Sequence, residues 1–568
     1  MNLNLKSKKE NTFDAIVIGS GISGGWAAKE LTEKGLKVLM LERGNKLDHV
    51  TDYTTAMLNP WDFQHRLRLP SEIRDANPII SKCYAFNEDT LHLFVKDAEH
   101  PYIQDKPFDW IRGYHVGGKS LMWARYVQRW SQHDFDGPAK DGFAVEWPIG
   151  YKDLAPWYSY VEKFVGITGT KEGLAALPDS EVLPPMDMNC VEKQAKINIE
   201  KKFKDRKLII SRTANLSQAQ KVHTDLGRAT CQRRDLCHRG CPFGAYFSTQ
   251  SSTLPAAVKT GNLTLRTDSV VHSIIYDEQK GKASGVRVID AITKQPVEYY
   301  ARIIFVNAAA INSNLILLNS VSNRFPNGLG NDNGIMGHYF AFHNYRVRGG
   351  GRYDGFEDMY YYGRRPVGVY IPRFRNIFGD KQQDYIRGYA VSGSAGRGRV
   401  NWADGFGESL KNKLTQVGGW WMGLQGMGET IPQFENKITL STTEKDAWGM
   451  PLLKLNVDYT QNDEAMVKEM KQTLAEILEA AGLKDVSVSD SKQAPGLDIH
   501  EMGGVRMGKD PKTSLLNGWN QLHACKNVFV TDGACMTSTS TQNPSLTYMA
   551  LTARAADYAV KEMKKQNL

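Results

Sequence analysis

The chain has 568 residues, 41% of them hydrophobic, enough for a large core divided among roughly two to four folding units. Lys and Arg number 71 against 62 Asp and Glu, a formal charge of +9. The excess is spread out, with short clusters only at Lys6, Lys8 and Lys9 and at Lys561, Lys564 and Lys565, so the concentrated basic face that nucleic-acid binding needs is missing.

No stretch approaches the roughly 18 consecutive apolar residues of a membrane span. The first residues, MNLNLKSKKENTF, are polar and lead directly into a strand, which leaves no apolar signal segment and by itself reads as cytoplasmic. Phe13–Ile18 is a short apolar run expected to form a strand, Trp26–Glu33 a helix, and Lys37–Leu41 a second buried strand. That rhythm is the βαβ unit of a parallel sheet. Between the first strand and the helix lies Gly19-Ser-Gly21-Ile-Ser-Gly24. Gly19 permits the tight turn, Gly21 lets backbone approach a pyrophosphate, and Gly24 lets helix pack on strand. The anion would sit on the helix N-terminus, where N–H groups and the dipole favour negative charge. Glu42 follows the second strand, 18 residues after Gly24, at a distance suited to a ribose hydroxyl. This predicts a dinucleotide site without separating FAD from NAD.

Of the seven cysteines, three form Cys231-x5-Cys237-x3-Cys241, followed by Pro242. Thiolates at such spacing suit an iron–sulfur cluster. Zinc is the chemical rival, with His238 as a fourth ligand, and three unligated thiols are the remaining reading. Four arginines lie in or beside the motif, Arg228, Arg233, Arg234 and Arg239. They are read as steering an acidic partner, as compensating cluster charge or as facing solvent.

From about Arg346 to Lys454 the chain is rich in Gly, Tyr, Trp and Arg, with alternating stretches at Val367–Pro372 and Lys437–Leu440, which predicts an antiparallel sheet. Trp420, Trp421 and several tyrosines there offer faces on which a sugar could stack, although most of these aromatics are read as ordinary core. Glu464–Ala481 has helical periodicity, with Met466, Met470, Leu474, Ile477 and Leu478 on one face. Asn527–Thr531 is expected to be a buried strand and Tyr548–Lys565 a helix.

Several segments resemble those of the glucose–methanol–choline (GMC) oxidoreductases. Arg112-Gly-Tyr-His-Val-Gly117-Gly118-Lys-Ser120-Leu-Met122-Trp looks like the family's flavin-contact segment, and Ala308–Ser313 is similar to another. Val530-Thr-Asp532-Gly533 and Asn543-Pro544-Ser545-Leu-Thr resemble its closing flavin motif. These matches run in order along nearly the whole chain. The resemblance implies an α/β (α+β overall) fold, a Rossmann-like FAD-binding domain interrupted by an antiparallel-sheet substrate domain. The expected FAD-binding parts are 12–135, 205–335 (with the cysteine loop at 228–245) and 515–568; the substrate parts are 136–204 and 336–514.

The resemblance also implies a chemistry. His500 opens His500-Glu-Met-Gly-Gly-Val-Arg-Met-Gly, similar to the family's histidine segment, and Asn543 stands 43 residues on, where members carry His or Asn. A neutral imidazole suits removal of a hydroxyl proton near neutral pH, so His500 is assigned as general base and Asn543 as the group orienting the substrate hydroxyl. Gly19, Gly21, Gly24, Glu42, Gly117, Gly118, Ser120, Asp532, Gly533, Asn543, Pro544 and Ser545 are the expected cofactor contacts. Related pyranose oxidases attach FAD through a histidine where this chain has Met122, so the FAD here is expected to be non-covalent. The cysteine spacing resembles the insertion of bacterial FAD-dependent glucose dehydrogenase catalytic subunits, implying a 3Fe–4S cluster on Cys231, Cys237 and Cys241. A cluster passing single electrons implies a dehydrogenase with a cytochrome c-like or quinone-linked acceptor. Similarity to glucoside 3-dehydrogenases favours oxidation of glucoside C3 to a 3-keto sugar. The alternatives are gluconate C2 oxidation and an oxygen-using sugar or alcohol oxidase with structural cysteines. Such enzymes often travel with a small subunit bearing the export signal, which would make the chain periplasmic by co-export, and otherwise cytoplasmic.

Overall fold

The computed structural model describes residues 11–361, 366–400 and 404–568. The first sheet contains β1 (Thr12–Ile18), β2 (Val38–Leu41), β3 (Leu263–Arg266), β4 (Ser269–Asp277), β5 (Lys282–Asp290) and β6 (Pro296–Val306) in the order β3-β2-β1-β6-β5-β4. β3, β2, β1 and β6 are parallel, whereas β5 is antiparallel to both β6 and β4. β6 is long enough to serve two partners along one edge. Its residues 296–300 pair with β5, and residues 304–306 pair in parallel with Val528–Val530. The strands of one sheet therefore come from three widely separated stretches of chain. Ala15–Ile18 and all of β2 are buried, as expected of parallel strands covered on both faces.

Helix α1 (Ile22–Glu33) begins four residues before the expected Trp26. The last glycines of the turn are already helical, because close packing on the strand matters more there than helix propensity. Helix α2 (Ala310–Leu318) follows β6.

The second sheet is antiparallel throughout. Its long strands are β7 (Val347–Tyr353), β8 (Tyr389–Arg399), β9 (Val417–Glu429) and β10 (Lys484–Asp490), in the order β10-β7-β9-β8, extended by Val369–Ile371 and Ile209–Ile210. The expected strand at Val367–Pro372 is the three-residue Val369–Ile371. Lys437–Leu440 is also a strand, but it belongs to a separate small sheet with Pro451–Asn456 and Ile103–Gln104.

Helix α3 (Gln461–Ala480) lies under the second sheet. Thr460 starts it through a capping box, its N–H donating to Asp463 Oδ2 at 2.8 Å while its Oγ1 accepts from Asp463 N at 3.3 Å. Met466, Met470, Leu474, Ile477 and Leu478 are all fully buried, on the face the periodicity predicts. Burying each stabilises the fold by about 1.5–3 kcal/mol. Helix α4 (Ser545–Lys564) packs along α1. It starts three residues before the expected Tyr548, since Pro544 takes the N-cap position and its missing N–H is no loss there. No helix among the described residues is long and apolar enough to cross a membrane.

Candidate active site

The glycine turn is built as its spacing requires, for three separate reasons. Gly19 has φ +91°, and a Cβ on it would lie 2.4 Å from the Asn307 carbonyl oxygen. A Cβ on Gly24 would lie 1.8 Å from the Gly19 oxygen. Gly21 caps α1 without a side-chain hydrogen bond, and a Cβ there would meet nothing within 4 Å. Its open side faces a cavity of about 1090 Å³ lined on one wall by Gly19, Ser20, Gly21 and Glu42. That exceeds the space a drug-sized ligand occupies. It leaves room for a dinucleotide with its anionic centre on α1.

Glu42 anchors this end. Ser20 N donates to Glu42 Oε2 at 3.0 Å, Ser20 Oγ donates to the same oxygen, and Gly44 N donates to Oε1 at 2.8 Å. Burial pushes its carboxyl up from the usual range. The Gly117 turn backs onto the first one, with Gly117 N donating to Ser20 Oγ at 2.8 Å. Gly118 continues the contact; its Cβ would lie 3.7 Å from Gly21 Cα. Ser120 holds the turn closed, donating to Gly117 O at 2.6 Å and accepting from Thr249 N at 3.1 Å.

At the far side, Asp532 accepts from Ser313 Oγ at 2.5 Å and from Ala534 N at 3.0 Å, and burial pushes its carboxyl up to about 6. A Cβ on Gly533 would lie 2.3 Å from the Glu501 oxygen. Asp532, Gly533, Asn543, Pro544 and Ser545 all reach the cavity, as do Gly118, Ser120 and Met122. Gly24 and Gly117 stand behind the wall, where they set the packing rather than face the space.

His500 and Asn543 meet on the same cavity, with Asn543 Nδ2 3.1 Å from His500 Nε2. Burial, then His343 and Lys119, holds His500 well below the ordinary imidazole range, so the ring is neutral at neutral pH. Four neighbours were assigned no role from the sequence. His343, fully buried, places Nδ1 2.9 Å from His500 Nδ1, and its Nε2 lies 3.1 Å from the carbonyl oxygens of both Thr539 and Ser540. Asp498 accepts from His343 N at 2.9 Å, and burial pushes its carboxyl up to about 7. Lys119 pairs with Glu501 at 2.7 Å beside the pair. Lys119 and Glu501 stand inside recognised motifs and were legible in that sense. His343 sits in a short strand, His343–Asn344, that pairs with the end of β9, and no motif marks it.

The second sheet adds Arg348, Ser392 and Gln425 to the cavity lining, with Tyr345 from the connection just before β7. The expected stacking surface at Trp420 and Trp421 is not there. Side chains alternate along β9. Trp420 therefore turns into the core over α3, its Nε1 donating to Phe356 O at 3.0 Å. Trp421 is half exposed, and neither residue lines the cavity.

Cys231, Cys237 and Cys241 share one loop, and none is in a disulfide. Burial raises the Cys231 thiol, and the charge of Cys237 and Cys241 raises it further, so the three lie within electrostatic reach of one another. Cys237–Arg239 form one turn, and His238 from that turn lines the cavity. The arginines are placed differently from the steering reading. Arg228 and Arg239 are buried, Arg239 pairing with Asp89 at 2.5 Å, and Arg234 donates to Ala56 O. Only Arg233 of the four is exposed, so the group does not form a surface charge that could guide a partner.

The chain is 25% identical to the 2-methyl-1,2-propanediol dehydrogenase of Mycolicibacterium austroafricanum, over 96% of this chain and 94% of that protein. It is also 25% identical to the fructose dehydrogenase large subunit of Gluconobacter japonicus, over 98% of this chain and 100% of that one. The fold resembles that of the formate oxidase of Aspergillus oryzae RIB40, with a TM-score of 0.60 at 13% identity over 98% and 99% of the two chains. Sequence profiles described as GMC oxidoreductase match residues 13–343 and 432–552, which take in the glycine turn, His500 and Asn543. The chain belongs to the GMC oxidoreductase family.

Proposed function

We propose that this chain is an FAD-dependent dehydrogenase that oxidises a secondary hydroxyl of a sugar or glycoside, with C3 of a glucoside as the favoured position. The observation that carries the reading is a single cavity with the dinucleotide turn at one end and the His500–Asn543 pair facing the remaining space. Gly19, Gly21, Glu42, Gly118, Asp532 and Pro544 would hold FAD, which when bound supplies the acceptor for a hydride. His500 Nε2 takes the hydroxyl proton, and Asn543 Nδ2 donates to the hydroxyl oxygen and fixes its position. Both relatives described above are named for alcohol or sugar oxidation, which supports the substrate class. Met122 on the wall carries a thioether, which supports non-covalent FAD. The test is anaerobic bleaching of bound flavin by a panel of glucosides, free sugars and gluconate, followed by NMR of the product. A 3-keto product supports the favoured position; no bleaching by any of them sinks the reading.

A second substrate reading rests on Arg348. It reaches the cavity, donates to Gln493 at 3.0 Å and has no acidic partner among the described residues. An unpaired guanidinium there suits a substrate carboxylate and favours gluconate-type acids oxidised at C2. The same panel separates the two.

A 3Fe–4S cluster on Cys231, Cys237 and Cys241 is proposed as the electron exit, with a one-electron carrier such as cytochrome c beyond it. Arg228 supports this. It is fully buried, its Nε donates to Gly244 O at 2.9 Å, and its Nη2 has no hydrogen-bond partner among the described residues. Burial pushes the guanidinium down to about 9, and the charge of Cys241 opposes it. Such a cation needs a nearby anion, and a cluster held by three thiolates is one. Zinc fits less well. Tetrahedral bonds of about 2.3 Å bring sulfurs to roughly 3.8 Å. Among the described residues, these cysteines and His238 do not converge within 4.8 Å. Expected for Cys241→Ser is retained bleaching of flavin by substrate, with loss of the oxidised cluster's EPR signal and at least a tenfold fall in reduction of a one-electron dye. An unchanged dye rate, or peroxide formed as fast as substrate is consumed, would favour the oxidase reading. The relative named a large subunit supports a partner subunit, and co-export to the periplasm with that subunit is proposed from the resemblance alone. Co-expression with a candidate small subunit tests this, and full activity without one counts against it.

A further inference from the structure

We propose that His343 is a positioning residue that fixes the tautomer of His500, leaving the bare lone pair on Nε2 toward the substrate hydroxyl. The proposal deepens the dehydrogenase reading above and rests on it for the reaction, though not for the tautomer. The argument runs inward from atoms whose roles are fixed. A carbonyl oxygen only accepts. His343 Nε2 lies 3.1 Å from two of them, on Thr539 and Ser540, so Nε2 carries the hydrogen. His343 is fully buried and neutral, so it has one N–H, and its Nδ1 is a bare acceptor. His500 Nδ1 lies 2.9 Å from that acceptor and must donate to it. His500 is neutral too, so its Nε2 is bare.

The other end of the chain fits the same assignment. Asn543 Nδ2 lies 3.1 Å from His500 Nε2, and an amide NH₂ there donates to a bare Nε2. Asp498 secures the arrangement by accepting from His343 N at 2.9 Å and from Gly496 N at 3.2 Å. The other charged groups bearing on His343 are Glu429, across the strand pair, and Arg373, which bonds to Glu429 at 2.5 Å.

The relay matters for the proton step. As the substrate O–H bond breaks, an N–H bond forms at His500 Nε2. The C–H bond gives its electron pair and hydrogen to the hydride acceptor, and the C=O bond forms. His500 Nδ1–H stays bonded to His343 throughout, so the imidazolium keeps an acceptor and no second proton has to move. In the opposite tautomer, Nε2 would present a hydrogen to the hydroxyl and no base would be available. A wrongly held tautomer of this kind is known to be costly in histidine-dependent catalysis.

Two measurements test this. The first is ring nitrogen-15 NMR of histidine-labelled holoenzyme, with the His500 signals assigned by their loss in His500→Gln. Protonated Nδ1 with bare Nε2 is expected, and the reverse overturns the relay whether or not a substrate is known. The second compares His343→Leu, which removes the acceptor, with His343→Asn, whose Oδ1 keeps one near Nδ1. His343→Leu should slow flavin reduction about 10²-fold or more with KM within about twofold, and His343→Asn should recover most of that loss. Wild-type rates in His343→Leu, or equal losses in both folded variants, overturn the relay while leaving the dehydrogenase reading intact. Failure of the wild type to be reduced by any alcohol or sugar counts against that reading instead, and the NMR result then decides the tautomer alone. If His343→Leu does not fold, the NMR result and His343→Asn carry the test.

Discussion

His500→Ala is expected to retain its flavin and to reduce it about 10²–10⁴-fold more slowly with substrate, the range a positioned general base contributes. Retention follows from the geometry. The turn that would hold the dinucleotide is supported by Ser20, Glu42 and Gly117, none of which depends on His500. The loss is specific because Asn543 has an amide and no group that takes a proton near neutral pH. Stopped-flow bleaching at saturating sugar measures it directly. In the wild type the pH profile should carry the same signature. His500 is held well below the ordinary imidazole range, mainly by burial, and a base works only when deprotonated. The rate should therefore rise with pH through a limb centred below about 6.5 and stay level across neutrality. A limb centred above 7, or near-normal bleaching in the alanine variant, would remove His500 from the role.

Gly19→Ala is the second large effect. A Cβ there would lie 2.4 Å from Asn307 O and 3.0 Å from Ala308 Cα, both backbone atoms with little freedom to move. The residue also sits at φ +91°, which costs an L-residue about 1–2 kcal/mol even without a clash. Either β1 and β6 separate where Asn307 N bonds to Ile18 O at 2.9 Å, or the turn rotates away from the cavity. Both outcomes spoil the anion site at α1. Flavin occupancy should fall at least about tenfold, the strain alone accounting for most of that factor. Acid precipitation followed by absorbance of the supernatant reads it out. In the wild type the same procedure should leave a colourless pellet, as non-covalent FAD requires. A variant with full flavin content would show that the turn is looser than its geometry implies.

Several features were legible in the residues because they depend on local rules. The glycine turn excludes a Cβ at Gly19 and Gly24 and leaves open space at Gly21, and the order Gly19, Gly21, Gly24 between a buried strand and a helix announces it. The buried face of α3 follows from a period of 3.6. Helix starts were misjudged by a few residues at α1 and α4. The residues that begin them, Ile22–Gly25 and Ser545, look like loop, and packing overrides propensity there.

Other readings stayed open for one physical reason, that facing direction and burial belong to the tertiary structure. Trp420 and Trp421 are aromatic residues in the right sheet, but strand alternation sends one into the core, and the other lies outside the cavity. Arg228 and Arg239 look like surface charge in a basic stretch, yet both are buried. His343 was one of thirteen histidines with nothing to distinguish it.

By itself the sequence determined the chemistry on offer: a turn that can cradle a dinucleotide, a histidine and an asparagine 43 residues apart, and three closely spaced thiols. Short-range spacing encodes these, because glycine geometry and thiol spacing act over a few residues. Only the tertiary structure decided which groups share one cavity, that His238 carries the cysteine loop to its wall, and that His343 stands behind the base. Those relations join residues distant in the chain, His343 and His500 being 157 positions apart. They arise from strand pairing and burial, which a linear pattern does not record.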